Sequence, residues 1–286
     1  MTLSHSTTAY DPGPRIHFVT CGAGPRTALL IHGFPQSSSK WRHVMPLFAA
    51  EGWRTIAVDY RGAGNSAKPL GGYDKWTMAE DLHRVLEVAG VSEPVAVIGH
   101  DIGAMVAVAY AARYRDDVTH LAVLDSAGLP GTTVFDGLRR SSGLWHFAFH
   151  AVRDLPELLV QGREDAYIRA LVEPLIVDPS GFTAEELEAC VRLYQAPGAM
   201  RAAFELYRAF DQDVADNRRS IQDRGKLSMP VLAMSGGYTP RAISMGEMVS
   251  ELAVDVTGVD LPGTGHWLVE ERPQQTMSAL LTFLTS

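Results

Sequence analysis

The chain is poor in cysteine, with only Cys21 and Cys190 among its 286 residues. Two thiols cannot build the disulfide framework of a small secreted domain, so we expect both to be reduced in a cytoplasmic protein. Basic residues are also scarce, because 25 Lys and Arg stand against 33 Asp and Glu and the net charge is −8. No run of five basic residues occurs, which excludes the usual signature of a nucleic-acid partner.

Long apolar runs are missing as well. Stretches such as 102–112 are too short to span a bilayer, and residues 1–8 lack the pattern of a signal peptide, so no membrane association is expected.

No H-E-x-x-H pattern or clustered Cys and His indicates a metal. The glycines at 62 and 64 lack the third glycine of a dinucleotide fingerprint, so we expect no cofactor either.

Apolar, β-rich segments alternate with amphipathic helical patterns along most of the chain, and 46% of the residues are hydrophobic. This alternation predicts an α/β fold in which helices cover both faces of a mostly parallel sheet. The predicted strands are 15–20, 26–31, 55–58, 95–98, 121–124, 230–234 and 256–261. The predicted helices of this part are 40–50, 77–89, 102–114 and 274–284.

The alternation stops after the fifth of these strands, and about a hundred residues pass before the next one. That length far exceeds an ordinary connection, and its pattern is helical, with a capping box from Thr183 to Glu186. We therefore predict a core domain from residues 1–129 and 227–286. Residues 130–226 are predicted to form an inserted helical cap domain.

Asp101 occupies the centre of a strand–turn–helix segment and is bracketed by Gly99 and Gly103. This is the spacing of a nucleophile elbow, where glycines let strand and helix pack closely. An aspartate with a pKa of about 3.9 is already ionised at neutral pH and needs no base to activate it. It can form an ester by displacing a leaving group from a saturated carbon, which favours epoxides or alkyl halides over esters or amides.

Further polar residues follow the predicted strands, where open α/β sheets bind their ligands. They are His32 in the segment 32–35, Asp125 and His266. The turn 32–35, the turn 59–66, the aspartate elbow and the late Gly-His pair resemble the α/β-hydrolase fold, and within it the epoxide hydrolase and dehalogenase branch. The resemblance covers nearly the whole chain. The segments 144–147 and 204–209 are especially similar to bacterial epoxide hydrolases of the Cif type.

The resemblance implies that Asp101 is the nucleophile and that His266 is the general base that activates water. Many relatives carry the third acid after the strand at 230–234, but segment 235–240 contains no carboxylate. Asp125 matches the alternative placement and is expected to orient His266. Glu270 and Glu271 are expected to cap a helix or face solvent.

The resemblance also implies an oxyanion hole made by the backbone N–H groups of Phe34 and Ile102. Epoxide opening needs donors to the ring oxygen, and family enzymes place two cap side chains there. Tyr207, followed by an arginine, matches one of them, and His146 takes the place of the other. The remaining cap tyrosines, Tyr167 and Tyr194, are expected to pack, and His32 and His100 to organise the backbone.

These residues favour an epoxide hydrolase, a hydrolase acting on ether bonds, which converts a small hydrophobic epoxide to a vicinal diol. A haloalkane or haloacid dehalogenase with the same nucleophile and base is the alternative, although Ile102 and Met105 provide neither the tryptophan nor the arginine such enzymes carry beside the nucleophile. A non-catalytic ligand-binding scaffold is the second alternative. The sequence leaves open whether the protein forms a homodimer.

Overall fold

One eight-stranded sheet organises the chain in the computed structural model, which describes residues 2–8, 13–139, 141–237 and 244–285. The order of the strands is β1-β2-β4-β3-β5-β6-β7-β8. The pairs β1–β2 and β2–β4 are antiparallel and all other pairs are parallel. The strands are β1 (Ser4–Thr7), β2 (His17–Cys21), β3 (Arg26–Ile31), β4 (Trp53–Val58), β5 (Val95–His100), β6 (Val118–Leu124), β7 (Val231–Gly236) and β8 (Val256–Leu261).

Helices flank this sheet, and the predicted α/β class is confirmed. No helix in the described ranges is both long and apolar enough to cross a membrane. The α-helices are α1 (Met45–Ala50), α2 (Lys75–Val88), α3 (Ile102–Arg113), α4 (Thr133–Leu138), α5 (Trp145–Ala151), α6 (Leu155–Val160), α7 (Glu164–Val172), α8 (Ala184–Tyr194), α9 (Ala199–Arg208), α10 (Phe210–Arg224), α11 (Met245–Ser250), α12 (Leu268–Glu271) and α13 (Pro273–Leu284). Short 3₁₀ helices span Ser38–His43, Arg115–Asp117, Ser142–Leu144 and Glu173–Leu175.

The central strands are buried on both faces. In β3, Leu29 and Ile31 belong to one hydrophobic cluster and Leu30 belongs to the other. Successive side chains of a strand point to opposite faces, so each face of the sheet has its own core. This two-sided burial explains why the central strands are continuous apolar runs rather than alternating ones.

Two details of the prediction are wrong. The helix expected over 40–50 is divided into the 3₁₀ helix Ser38–His43 and α1, because Pro46 lacks an N–H and begins the new helix in its first turn. The edge strand β1 was not predicted. Its four residues are polar and exposed, so the sequence has no alternation there to mark a strand.

The chain between β6 and β7 forms helices α4 to α10. The predicted capping box is present, since Thr183 and Glu186 each accept the other's backbone N–H. Aromatic side chains of α5 and α9 reach the turn after β3, where His150 and Tyr207 contact the ring of Phe34 edge-on. These helices therefore cover the carboxyl ends of the central strands. The exact boundaries at 129/130 and 226/227 remain a prediction.

Asp59 links the turn after β4 to the turn after β3. Its buried carboxylate accepts hydrogen bonds from His17 Nδ1 at 2.8 Å, Ser38 N at 2.6 Å and Asn65 N at 2.9 Å. Burial alone raises the pKa of Asp59, but the hydrogen bond from His17, the nearby His32 and the two N–H groups outweigh burial and lower the pKa to about 2.

We expect Asp59 to make folding stability depend on acid pH. A carboxyl whose folded pKa is lowered stabilises the fold fully above its unfolded pKa, near 4, and this contribution is lost as pH falls towards 2. The difference is worth about 2 kcal/mol. Urea unfolding of Asp59→Asn should therefore show a smaller loss of stability between pH 5 and pH 2 than the wild type. The exposed Asp116→Asn serves as the control, and equal slopes for Asp59→Asn and the wild type would contradict the assignment.

Candidate active site

The turn between β5 and α3 holds Asp101 in an unusual backbone conformation, with φ 55° and ψ −121°. The flanking glycines are required by contact. A Cβ on Gly99 would lie 2.2 Å from the carbonyl oxygen of Gly103, and a Cβ on Gly103 would lie 2.3 Å from that of Ile31. Both distances are far below contact, so only glycine fits. The predicted elbow is therefore formed, and it lifts Asp101 out of the plane of the sheet.

The carboxylate of Asp101 lies against two backbone amides. Phe34 N donates to Oδ1 at 3.0 Å, and the N–H of Ile102 also donates to the carboxylate. Gly33 makes this approach possible, because a Cβ there would lie 2.5 Å from Cβ of Asp101. The two amides predicted for the oxyanion hole thus point at the same carboxylate.

Burial raises the pKa of Asp101, while His266 and the N–H groups of Ile102 and Phe34 act against this shift. The side chain retains 16% of its exposure, so it is reachable from outside the protein.

Asp125 and His266 form a pair behind the nucleophile. His266 Nδ1 lies 2.6 Å from Asp125 Oδ2, and since a carboxylate only accepts, Nδ1 carries the proton. Asp125 is fully buried and its Oδ1 accepts from Gly236 N at 3.1 Å. The free Nε2 of His266 faces Asp101 Oδ2 at 3.8 Å, too far for a direct hydrogen bond. In segment 235–240, residues from 238 onward lie outside the described part of the chain.

The other two histidines of the motifs organise the backbone as predicted. His32 Nδ1 donates to the carbonyl of Gly33 at 2.8 Å, and His100 Nε2 donates to the carbonyl of His266 at 2.8 Å. Burial lowers the pKa of His32 to about 4 and that of His100 well below its ordinary value. Both rings are therefore neutral near pH 7.

The two predicted cap donors lie side by side. Tyr207 of α9 and His146 of α5 have ring centroids 5.9 Å apart, and Tyr207 also meets the ring of Phe34. Burial, followed by the charge of Asp101, raises the pKa of Tyr207 well above 10. Burial, followed by His266, lowers the pKa of His146 to about 4. Tyr207 therefore keeps its hydroxyl proton, and neutral His146 keeps one N–H.

Sequence reasoning missed His150, which is fully buried. Its ring packs edge-on against Tyr207 with centroids 4.3 Å apart, and its Nε2 lies 2.5 Å from the hydroxyl of Tyr167. Tyr167, expected only to pack, is thus hydrogen-bonded. The available signal was the spacing of His146 and His150, four residues apart on one helix face.

The expectation that Glu270 and Glu271 face solvent is wrong, because both are buried. Glu270 forms an ion pair with Lys40 at 3.0 Å. Glu271 Oε2 accepts from the backbone of Gly265 at 3.1 Å and from Asp178 N at 2.8 Å. Glu271 therefore ties the loop that carries His266 to the chain of the insertion.

Comparison with known proteins identifies the family of this chain. The family described as the alpha/beta hydrolase fold matches residues 28–273. This chain belongs to the α/β-hydrolase fold family. The matched residues include Asp101 and His266, two of the residues that carry the resemblance in the sequence.

Individual relatives extend over nearly the full length. A soluble epoxide hydrolase of Corynebacterium sp. (strain C12) is 34% identical over 95% of this chain and 94% of the relative. A fluoroacetate dehalogenase of Burkholderia sp. is 30% identical over 94% of this chain and 90% of the relative. The crystal structure of Cfl2 from Burkholderia cenocepacia, 38% identical, superposes with a TM-score of 0.90 over 98% of this chain and 95% of that one.

We expect Gly103→Ala to destabilise the protein by about 2 kcal/mol or more, because the added methyl overlaps two backbone carbonyl oxygens that cannot move independently. The matched control is Gly137→Ala in α4, where the added methyl meets nothing within 4 Å and alanine favours the helix. Urea unfolding measures both free energies. Similar values for the two variants would show that the elbow tolerates a side chain at 103.

Proposed function

We propose that this chain hydrolyses an epoxide to a vicinal diol through an ester on Asp101. The observation that carries the proposal is the carboxylate of Asp101 in the elbow, held by the amide of Phe34 and faced by the free Nε2 of His266. The relative named soluble epoxide hydrolase, similar over nearly the full length, supports it.

In the first step, an oxygen of Asp101 attacks a ring carbon and the bond from that carbon to the ring oxygen breaks. The departing oxygen develops negative charge, so donors at that position lower the barrier. Tyr207 and His146 serve as these donors. The raised pKa of Tyr207 keeps its hydroxyl protonated, so the side chain has a proton to give. Tyr207 transfers its proton, which leaves a hydroxyalkyl ester and a tyrosinate.

In the second step, His266 takes a proton from water, and the hydroxide attacks the carbonyl carbon of the ester. The N–H groups of Phe34 and Ile102 stabilise the oxyanion that forms. The intermediate collapses and the alkoxide of the product receives its proton from His266. The acid proton of Asp101 returns to Tyr207, which restores the starting state, and Asp125 stabilises the imidazolium in between.

The substrate is proposed to be small and hydrophobic. Phe34 and Phe147 both contact Tyr207, and their rings make this region apolar. Trp145 is 48% exposed, and its ring contacts those of His146 and Phe149. We further propose a cytoplasmic location, in line with the two buried free thiols. A homodimer remains a prediction.

A dehalogenase is the second candidate, and the fluoroacetate dehalogenase among the relatives favours it. Such an enzyme needs a group that holds the substrate's carboxylate or the departing halide. Ile102 and Met105 beside the nucleophile are buried and apolar and offer no such group. If the protein released fluoride or chloride from halogenated substrates and turned over no epoxide, it would be a dehalogenase. A non-catalytic scaffold is disfavoured, because it has no use for the pairing of His266 with Asp125.

His266→Gln should stop the reaction after the first step, because the base acts only on water. Incubation with an epoxide that the wild type turns over should then add the mass of the epoxide to the peptide containing Asp101. Mass spectrometry of the digested protein measures the adduct. Asp101→Asn in the same background is the control and should carry none.

Wild-type turnover in ¹⁸O-water gives a second, independent reading, since ester hydrolysis puts the isotope into the side chain of Asp101 over many cycles. Product formation with neither isotope in Asp101 nor an adduct in His266→Gln would overturn the ester mechanism.

Tyr207→Phe should slow formation of the ester by about 10²-fold or more while substrate binding changes little, because the lost donor acts where charge develops. Rapid-quench mass spectrometry gives the rate of ester formation. Tyr194→Phe is the matched control, a buried cap tyrosine that also packs against Phe34. Equal rates for Tyr207→Phe and the wild type would remove Tyr207 from the mechanism.

A further inference from the structure

The guanidinium of Arg208 joins three parts of the helical insertion, and its side chain is only 6% exposed. Its Nη1 donates to Glu157 Oε1 at 2.7 Å and to Glu205 Oε1 at 2.8 Å. Its Nη2 donates to Glu157 Oε2 at 3.0 Å and to the carbonyl of Val152 at 2.5 Å. The pairing with Glu157 is therefore bidentate, which fixes direction as well as distance.

These contacts connect the two helices that carry the proposed donors. Val152 directly follows α5, the helix of His146, and Arg208 is the last residue of α9, next to Tyr207. One planar group thus holds the carboxyl ends of both helices. A cation at a helix carboxyl end also interacts favourably with the helix dipole.

We propose that Arg208 is a positioning residue for epoxide opening: it fixes α5 against α9 so that His146 and Tyr207 meet the same oxygen atom. This inference rests on the proposed function. Arg208 does not itself touch the reacting atoms, because its contacts are with Val152, Glu157 and Glu205.

The geometry matters because two donors on separate helices must converge on one atom. The rings of His146 and Tyr207 have centroids 5.9 Å apart, and a displacement of about 1 Å at a reacting centre is enough to lower a rate by about 10²-fold. Lysine cannot replace the arginine here, since an ammonium is a point charge without the planar fork that reaches Glu157 and Val152 together.

The test separates the two chemical steps. Arg208→Met and Arg208→Lys are compared with the wild type by rapid-quench mass spectrometry, which follows formation and breakdown of the Asp101 ester. Formation should slow by about 10- to 100-fold in both variants. Breakdown should keep its wild-type rate, because His266 and Asp125 lie in the core. A merely structural role would slow both steps or neither, and either result would overturn the inference.

A double-mutant cycle tests whether Arg208 acts through the donor. In the Tyr207→Phe background, Arg208→Met should slow ester formation several-fold less than it does in the wild type, because the donor it positions is already gone. An undiminished effect would contradict the inference. If Arg208→Met does not fold, the same double-mutant cycle is measured with Arg208→Lys and Tyr207→Phe.

Arg169→Met is the matched control, since Arg169 also bridges two helices of the insertion through Asp165 and Glu188 but holds neither donor helix. It should form the ester at the wild-type rate, and slowing equal to that of Arg208→Met would overturn the inference. A different result would contradict the proposed function itself, namely that His266→Gln forms no adduct with any epoxide. An adduct that forms equally fast with and without Arg208 contradicts only the positioning role.

Discussion

The close approach of two turns governs the whole site. The turn after β3 and the turn after β5 meet because these strands are parallel neighbours whose carboxyl ends lie at the same edge of the sheet. Gly33 lets one turn touch Asp101, and Gly103 lets α3 begin directly under the carbonyl of Ile31. The amide of Phe34 reaches the carboxylate only because no side chain separates them. A methyl group at either glycine would push apart the carboxylate of Asp101 and the amide of Phe34.

Burial keeps several histidines of the site neutral. Burial lowers the pKa values of His32, His100 and His146, and the rings of His32 and His100 donate to backbone carbonyl oxygens. His266 differs from these three because the carboxylate of Asp125 lies 2.6 Å from its Nδ1. That contact leaves Nε2 directed towards Asp101, so Nε2 is the atom through which the proposed base takes up a proton.

Features that depend on short motifs are predictable from the sequence. Features that depend on packing between segments distant in the chain are not. Asp101 and its glycines follow a fixed local spacing, because strand, turn and helix are consecutive in the chain. Glu270 has no such spacing, and the burial of His150 and Glu270 depends on segments far away in sequence, as the pairing of Glu270 with Lys40 shows. Edge strand β1 is not predictable for a related reason, since its exposed polar residues carry no hydrophobic alternation that marks a strand.

In the proposed mechanism, the insertion rather than the core determines the chemistry of the leaving group. A nucleophilic carboxylate, a base and an oxyanion hole serve epoxide and halide substrates equally, so Asp101 and His266 cannot distinguish them. A halide departs as a stable anion, whereas an alkoxide needs a proton at once. The two proposed donors, Tyr207 and His146, lie on different helices. In the proposed mechanism, their convergence therefore depends on how α5 and α9 pack, so helix packing influences which class of substrate reacts.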